Sequence, residues 1–275
     1  MLELNKIYNC DCLEGIKQLD DNSIDCVMTS PPYADVKDYG VYKGIKCERY
    51  VDWIMPIINE IDRIIKDNGV FILNIDDKVI DGFRHPYIYE LIYKITKETN
   101  FKLYERLFWD KGKYLPYHNR FGNRIEYIFI FAKAIPRINF NELRLDYDKK
   151  SIARMKKPIK KRFNRNEKNN NTSEYKDWSN NINGCMPSTL IQIGSETQRV
   201  ADNHFAVYPL ELVEYFLRGF TTSNDIVLDP FIGSGTTAVA CAKLNRNYIG
   251  FDLNPEYCQI AEKRLEKYKG QRRLA

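Results

Sequence analysis

The sequence predicts an α/β fold with a mostly parallel sheet. Three observations lead there. Short apolar runs alternate with longer segments whose apolar residues recur at helical spacing. A glycine-containing loop, DPFIGSGTT, follows an apolar strand and opens a helix. The chain has 275 residues, 44% of them apolar, enough for one large domain or one domain with an inserted module.

The elements follow in order. Residues 2–8 are short and mixed, compatible with a strand or a lead-in, and residues 13–19 read as a short helix. Residues 24–29 are an apolar strand that ends at the double proline of Ser30-Pro31-Pro32-Tyr33. Residues 50–66 carry apolar side chains at helical spacing, with an early kink expected at Pro56. Asp67-Asn68-Gly69 is the expected stop, and residues 70–75 the buried strand that follows. Residues 86–99 read as a helix, and 102–109 and 126–133 as strands. From about 136 to 200 the alternation fails, which predicts an inserted module or long loops. Order resumes at Pro209 with a helix. A strand at 225–228, the glycine loop and its helix, a strand at 247–252 and a final helix at 255–268 complete the chain.

Charge is unevenly spread. The net charge is +5, yet residues 149–168 hold ten Lys or Arg against one acid, Glu167. That segment alone carries +9, so the remainder is about −4. A basic segment on a slightly acidic body points to a polyanion partner. Seven cysteines, an odd number with no zinc-ligand spacing, predict reduced thiols, no metal and a cytoplasmic protein. No signal peptide or membrane-length apolar run is present in the sequence.

Two motifs carry chemistry. In the glycine loop, Gly233 and Gly235 let the backbone turn tightly and approach a ligand. The next strand ends at Asp252, where an acid can accept hydrogen bonds from a ribose diol. The GxxxxGK[ST] phosphate pattern is missing, which argues against nucleoside triphosphate hydrolysis. A dinucleotide and an adenosyl cofactor both remain compatible. The second motif is Ser30-Pro31-Pro32-Tyr33, a stiff elbow flanked by a hydroxyl and an aromatic ring.

Together, DPFIGSGTT, the later GFD and the earlier TSPPY resemble the amino-methyltransferases of DNA. The catalytic-type motif precedes the cofactor-type motif, with a basic region between them. That order resembles the family's β group, a circular permutation of the usual arrangement. The resemblance spans nearly the whole chain. It implies a Rossmann-like, mostly parallel seven-stranded sheet with one antiparallel strand, for which NRIEYIFIFAK is the candidate. It implies three segments: 1–135 as the catalytic half, 136–200 as an inserted target-recognition region, and 201–275 as the cofactor-binding half. It also implies S-adenosylmethionine (SAM) as cofactor. The positions that would hold it are Asp11, Cys12, His204, Phe205, Pro209, Asp229, Pro230, Phe231, Gly233, Ser234, Gly235, Thr236, Thr237 and Asp252.

The catalytic positions are Ser30, Pro31, Pro32 and Tyr33. Ser30 Oγ and the Pro31 carbonyl would accept from an exocyclic amino group, and Tyr33 would stack on a base flipped out of double-stranded DNA. Within the family, Ser at the first motif position usually accompanies N4-cytosine and Asp usually accompanies adenine, so Ser30 favours N4-cytosine over N6-adenine. The sequence following the motif, ADVKDYG, also resembles N4-cytosine members. No Pro-Cys dipeptide is present for a covalent route to 5-methylcytosine. Lys156, Lys157, Lys160, Lys161, Arg162 and Arg165 are the phosphate-contact candidates. Arg165, Asn180, Gln192, Gln198 and Arg199 are candidates for reading base edges. The resemblance further implies restriction–modification, and allows both a cognate endonuclease held in no stable complex and a homodimer. Rival readings are an RNA or protein methyltransferase, a decayed scaffold that only binds DNA, and a nicotinamide oxidoreductase. The motif order argues against the first, the intact motifs against the second, and SPPY against the third.

Overall fold

The computed structural model describes residues 2–35, 44–112, 119–145, 184–194 and 209–268. The strands are β1 (Lys6–Asn9), β2 (Ile24–Thr29), β3 (Ile65–Ile75), β4 (Val79–Ile80), β5 (Phe83–Arg84), β6 (Lys102–Asp110), β7 (Ile125–Ala132), β8 (Leu190–Gln192), β9 (Ile226–Asp229) and β10 (Asn247–Asp252). The helices are α1 (Cys12–Ile16), α2 (Cys47–Ile64), α3 (Tyr87–Glu98), α4 (Leu210–Phe220), α5 (Thr236–Lys243) and α6 (Pro255–Leu265). A 3₁₀ turn, Glu266–Tyr268, ends the described chain.

One eight-stranded sheet runs in the order β1-β10-β9-β2-β3-β7-β6-β8. β7 is antiparallel to both its neighbours, β3 and β6, and every other pairing in this sheet is parallel. The single antiparallel strand is therefore the one that NRIEYIFIFAK implied. The sheet has eight strands rather than seven because Leu190–Gln192 adds to the edge of β6. Strands from the C-terminal half, β9 and β10, lie between β1 and β2 of the N-terminal half. That interleaving is how the permuted order closes into one sheet.

Side chains alternate across the sheet because successive Cβ atoms point to opposite faces. Val27, Phe71, Leu73, Phe131, Leu228 and Phe251 pack under α1, α2 and α3. Cys26, Met28, Ile72, Ile130 and Val227 pack under α4, α5 and α6. A sheet covered on both faces explains the near-continuous apolar runs.

Two expectations change at α2 and β3. The helix begins earlier, at Cys47, and runs through Pro56 to Ile64. The Asp67-Asn68-Gly69 stop lies inside β3, not before it. The register explains this: Ile24 pairs with Ile65, yet Cys26 pairs with Val70, so the turn residues form a bulge. Gly69 is needed there, since a Cβ would come within 2.8 Å of the Asp25 carbonyl oxygen. A small hairpin, β4–β5, turns through Asp81 and Gly82, both at positive φ. Among the described residues no helix is long and apolar enough to cross a membrane.

Candidate active site

Parallel strands place their carboxyl ends along one edge, where α/β folds bind ligands at a switch in strand order. Here β1, β10, β9 and β2 end side by side. Asn9 pairs with Asp252, and Val27 with Leu228. Asp11, Asp252, the glycine loop and Ser30 therefore share one edge, although they are scattered over the whole sequence.

Asp229 ties the two motifs together. It is 1% exposed. Its Oδ1 accepts from Thr29 Oγ1 at 2.7 Å and from Phe231 N–H at 3.1 Å. Its Oδ2 accepts from Thr237 Oγ1 at 2.6 Å. One carboxylate thus joins the residue before Ser30, the glycine loop and the first turn of α5.

The two loop glycines have different reasons to be glycine. Gly235, at φ 82°, lies against α6, and a Cβ there would meet Ala261 Cβ at 2.6 Å. Gly233, at φ 51°, would direct a Cβ into open space, with nothing nearer than the Phe231 carbonyl oxygen at 3.9 Å. That open side lets a ligand approach the backbone closely. Asp252 stands beside it. Its Oδ2 accepts from Gly233 N–H at 3.0 Å, and its Oδ1 from Asn254 N–H at 2.8 Å. Burial raises its pKa, and the two N–H donors oppose that shift. Each oxygen keeps a second lone pair, enough for two hydroxyls of a diol. Half-buried Phe231 meets Trp53 of α2, ring centroids 5.7 Å apart. A bare backbone turn, a diol acceptor and an aromatic wall fit an adenosyl group.

Other expected cofactor positions are engaged in the scaffold. Asp11 caps α1, its Oδ1 accepting from the N–H groups of Leu13 and Glu14 at 2.9 and 3.3 Å. Cys12 is buried, and burial followed by Asp11 pushes its thiol up to about 12. Arg264 Nη1 donates to Ser234 Oγ at 2.9 Å and to Thr236 Oγ1 at 3.2 Å. Pro209 is buried at the N-cap of α4, and Pro230 follows Asp229 in the loop. His204, Phe205 and all six phosphate-contact candidates lie outside the described residues, as do Asn180, Gln198 and Arg199. Gln192 Nε2 lies 3.5 Å from Asp110 Oδ2, which also pairs with Arg124.

At the elbow, Pro31 is buried and Tyr33 half-buried. Ser30 Oγ and Tyr33 Oη are 3.2 Å apart. Tyr33 Oη donates to Glu126 Oε2 at 2.7 Å and lies 3.3 Å from Asn74 Oδ1. Lys111 Nζ holds the other carboxylate oxygen, Glu126 Oε1, at 3.0 Å. Burial first, and then Glu126, raises the Tyr33 pKa well above its usual range. Asn74 and Glu126 were not foreseen. Asn74 is 1% exposed inside the apolar run VFILNI, and a polar residue in such a run was the available signal.

Asp76 lies beyond them, accepting from Asn123 Nδ2 at 2.8 Å. Its carboxyl is pushed up to about 6, first by burial and then by Glu126. A raised folded-state pKa means the folded protein binds the proton more tightly than the unfolded chain. The resulting stabilisation is complete below about pH 3.8 and is lost as pH rises through about 6. Asp76→Asn removes that titration. Its stability relative to the native protein should therefore improve by up to about 3 kcal/mol between pH 4 and pH 7. Urea unfolding at both pH values measures this; a difference that stays flat with pH would show that Asp76 does not titrate in that window.

Comparison with known proteins identifies the class first. The fold is shared with the solved structure of PvuII DNA methyltransferase (cytosine-N4-specific), at a TM-score of 0.71 and 23% identity over 95% of this chain and 89% of that one. It is also shared with the M1.HpyAVI–SAM complex, at a TM-score of 0.57 and 25% identity over 94% and 99%. The fold and this edge define a Rossmann-like methyltransferase.

The chain belongs to the N6/N4 DNA methylase family, whose profile matches residues 24–263. Among its relatives, the orphan methyltransferase M.BamHII of Bacillus amyloliquefaciens is 32% identical over 270 residues, 92% of each chain. The type II methyltransferase M.PvuII of Proteus hauseri is 28% identical over 277 residues, 91% of this chain and 80% of its own.

Proposed function

We propose that this DNA methyltransferase transfers a methyl group from SAM to the N4 amino group of cytosine in duplex DNA. The observation that carries the reading is the Ser30 hydroxyl at the end of β2, one residue beyond Thr29, whose own hydroxyl is bonded to Asp229 of the glycine loop. SAM bound along Gly233 and Asp252 supplies an electrophilic methyl group. The protein's part is to prepare the nucleophile. An exocyclic amino group is a poor one, because its lone pair is conjugated into the ring. Acceptors fixed on both amino protons favour a more tetrahedral nitrogen and turn the lone pair outward. Ser30 Oγ and the Pro31 carbonyl supply them. The prolines hold both in place before the base arrives, so little reorganisation is left for the reaction.

The target base leaves the duplex at a cost of roughly a few kcal/mol. Stacking on the Tyr33 ring can return about 1–3 kcal/mol. The basic run at 149–168 neutralises phosphates, which positions DNA without reading its sequence. Residues 136–200 serve as the target-recognition region between a catalytic half and a cofactor half. A type II restriction–modification role is supported by relatives named type II methyltransferases, M.PvuII among them, and the proposed setting is the cytoplasm.

The test is a nucleoside digest of unmethylated genomic DNA after incubation with the protein and SAM, separated by mass spectrometry. N4-methylcytosine is the expected product. N6-methyladenine would overturn the base assignment while keeping the reaction class. No methylated nucleoside would overturn both.

Asp252 offers a second check. Asp252→Ala removes the acceptor opposite Gly233 and the proposed ribose ligand together. SAM affinity should fall on the order of 10–100-fold, as lost hydrogen bonds to a charged acceptor suggest. Calorimetric titration of SAM measures it, and an unchanged dissociation constant would remove Asp252 from the cofactor site.

A further inference from the structure

We infer that Glu126 is a positioning residue that acts through Tyr33 to set the direction of the Ser30 hydroxyl. The inference rests on the proposed role of Ser30 as an acceptor for the amino group.

The argument is one of donors and acceptors. A phenol has one proton to give. Tyr33 Oη lies 2.7 Å from Glu126 Oε2 and 3.3 Å from Asn74 Oδ1, so its proton goes to the carboxylate. Toward Ser30, 3.2 Å away, Tyr33 Oη can then only accept. Ser30 must be the donor in that pair. Its proton points to Tyr33, and both of its lone pairs are left for an incoming N–H. Were the array reversed, with Tyr33 donating to Ser30, one of those lone pairs would already be taken.

The far side of Glu126 makes the direction one-way. Lys111 Nζ donates to Oε1 at 3.0 Å, and Asn74 Nδ2 donates to Oε2 at 3.2 Å. Neither Lys111 nor a carboxylate can reverse its role while both stay charged. Asn74 is fixed in turn by donating to the Tyr127 carbonyl oxygen at 3.2 Å. The position is not accidental for the fold. β7 is the antiparallel strand, paired with β3 so that Asn74 faces Ile128 and Ile75 faces Tyr127. That register brings Glu126 to the end of β3, beside the catalytic elbow.

Glu126→Gln tests this at nearly constant shape. Lys111 still requires an acceptor, so the amide oxygen stays with it and the amide nitrogen turns toward Tyr33. Tyr33 must then accept, and its proton is left to Ser30 Oγ at 3.2 Å or Asn74 Oδ1 at 3.3 Å, so the one-way array that kept both Ser30 lone pairs open is lost. With tritiated SAM and unmethylated genomic DNA, both saturating, the transfer rate should fall on the order of 10–100-fold. The SAM dissociation constant and the KM for DNA should each stay within about twofold. In the Tyr33→Phe background, which lacks the relaying hydroxyl, Glu126→Gln should cost less than twofold, because coupled residues do not add.

A readout in the free protein needs no cofactor. The ¹³Cζ resonance of Tyr33, assigned by its disappearance in Tyr33→Phe, reports whether the phenol gives or takes a hydrogen bond. It should shift upfield in Glu126→Gln. A Glu126→Gln rate within twofold of native overturns the inference. So does a loss of equal size in the Tyr33→Phe background, or an unmoved Tyr33 resonance. If the native protein methylates no DNA, the functional reading itself falls and takes this inference with it.

Discussion

Ser30→Ala is expected to slow methyl transfer by about 10²–10³-fold while leaving SAM affinity within about twofold. The substitution removes one of the two acceptors proposed for the amino group, and nothing else replaces it. Its hydroxyl contacts Tyr33 and not the glycine loop. The loop is held instead by Thr29, one residue earlier, through Asp229. That division of labour between neighbours allows the separation of chemistry from cofactor binding. Single-turnover transfer to DNA and calorimetric SAM binding, measured on the same preparation, decide it. Collapse of SAM affinity with normal turnover of the bound fraction would make Ser30 a scaffold residue. Stability should barely change, since Ser30 is only half-buried.

Much of this architecture is legible in local sequence. Residues 24–29 and 247–252 have strand bounds that match the structure, because fully buried parallel strands are continuous apolar runs between turn signals. The glycine loop is equally plain, since its glycines and flanking strand lie within a dozen residues. What is hidden depends on pairing between distant segments. Asp67-Asn68-Gly69 has the composition of a turn, and only its register against Ile24 and Cys26 makes it a bulge within a strand. Leu190–Gln192 is three residues in a polar stretch, recruited by the free edge of β6. Asp81-Gly82 carries a hairpin signal, but its flanking strands are only two residues long, too short to show an alternating pattern.

The site divides along the same line. Ser30, Tyr33 and Gly233 announce themselves by motif. Glu126 lies 93 residues from the tyrosine it holds, and no periodicity links the two. Sequence also cannot separate the two uses of a loop residue. Gly233 opens onto space, whereas Gly235, two positions later, is required by the approach of α6. Ser234 and Thr236 between and beyond them face Arg264. A motif of this kind is one part open backbone and one part packing, and only the fold tells them apart.

Asp229 is where that distinction can be tested most sharply. A cofactor role predicts that Asp229→Ala lowers SAM affinity and leaves the fold intact. The geometry predicts something larger. Thr29 Oγ1, Thr237 Oγ1 and Phe231 N–H all lose this acceptor, and the site is buried with the carboxylate 1% exposed. Each lost partner costs about 1–3 kcal/mol, so destabilisation on the order of 3–5 kcal/mol is expected. At roughly 2–4 °C per kcal/mol for a chain of this size, the melting temperature should drop by about 10 °C. Asp229→Asn keeps one acceptor oxygen and should fall between native and Ala. Both motifs should loosen together, because the same carboxylate anchors the end of β2 and the start of α5. SAM binding and transfer would then decline in parallel with stability across the Asn and Ala variants. Thermal unfolding without ligand separates the cases. A native melting temperature with weakened SAM binding would place Asp229 against the cofactor; a large drop before any ligand is added makes it the tie between the Ser30–Tyr33 elbow and the glycine loop.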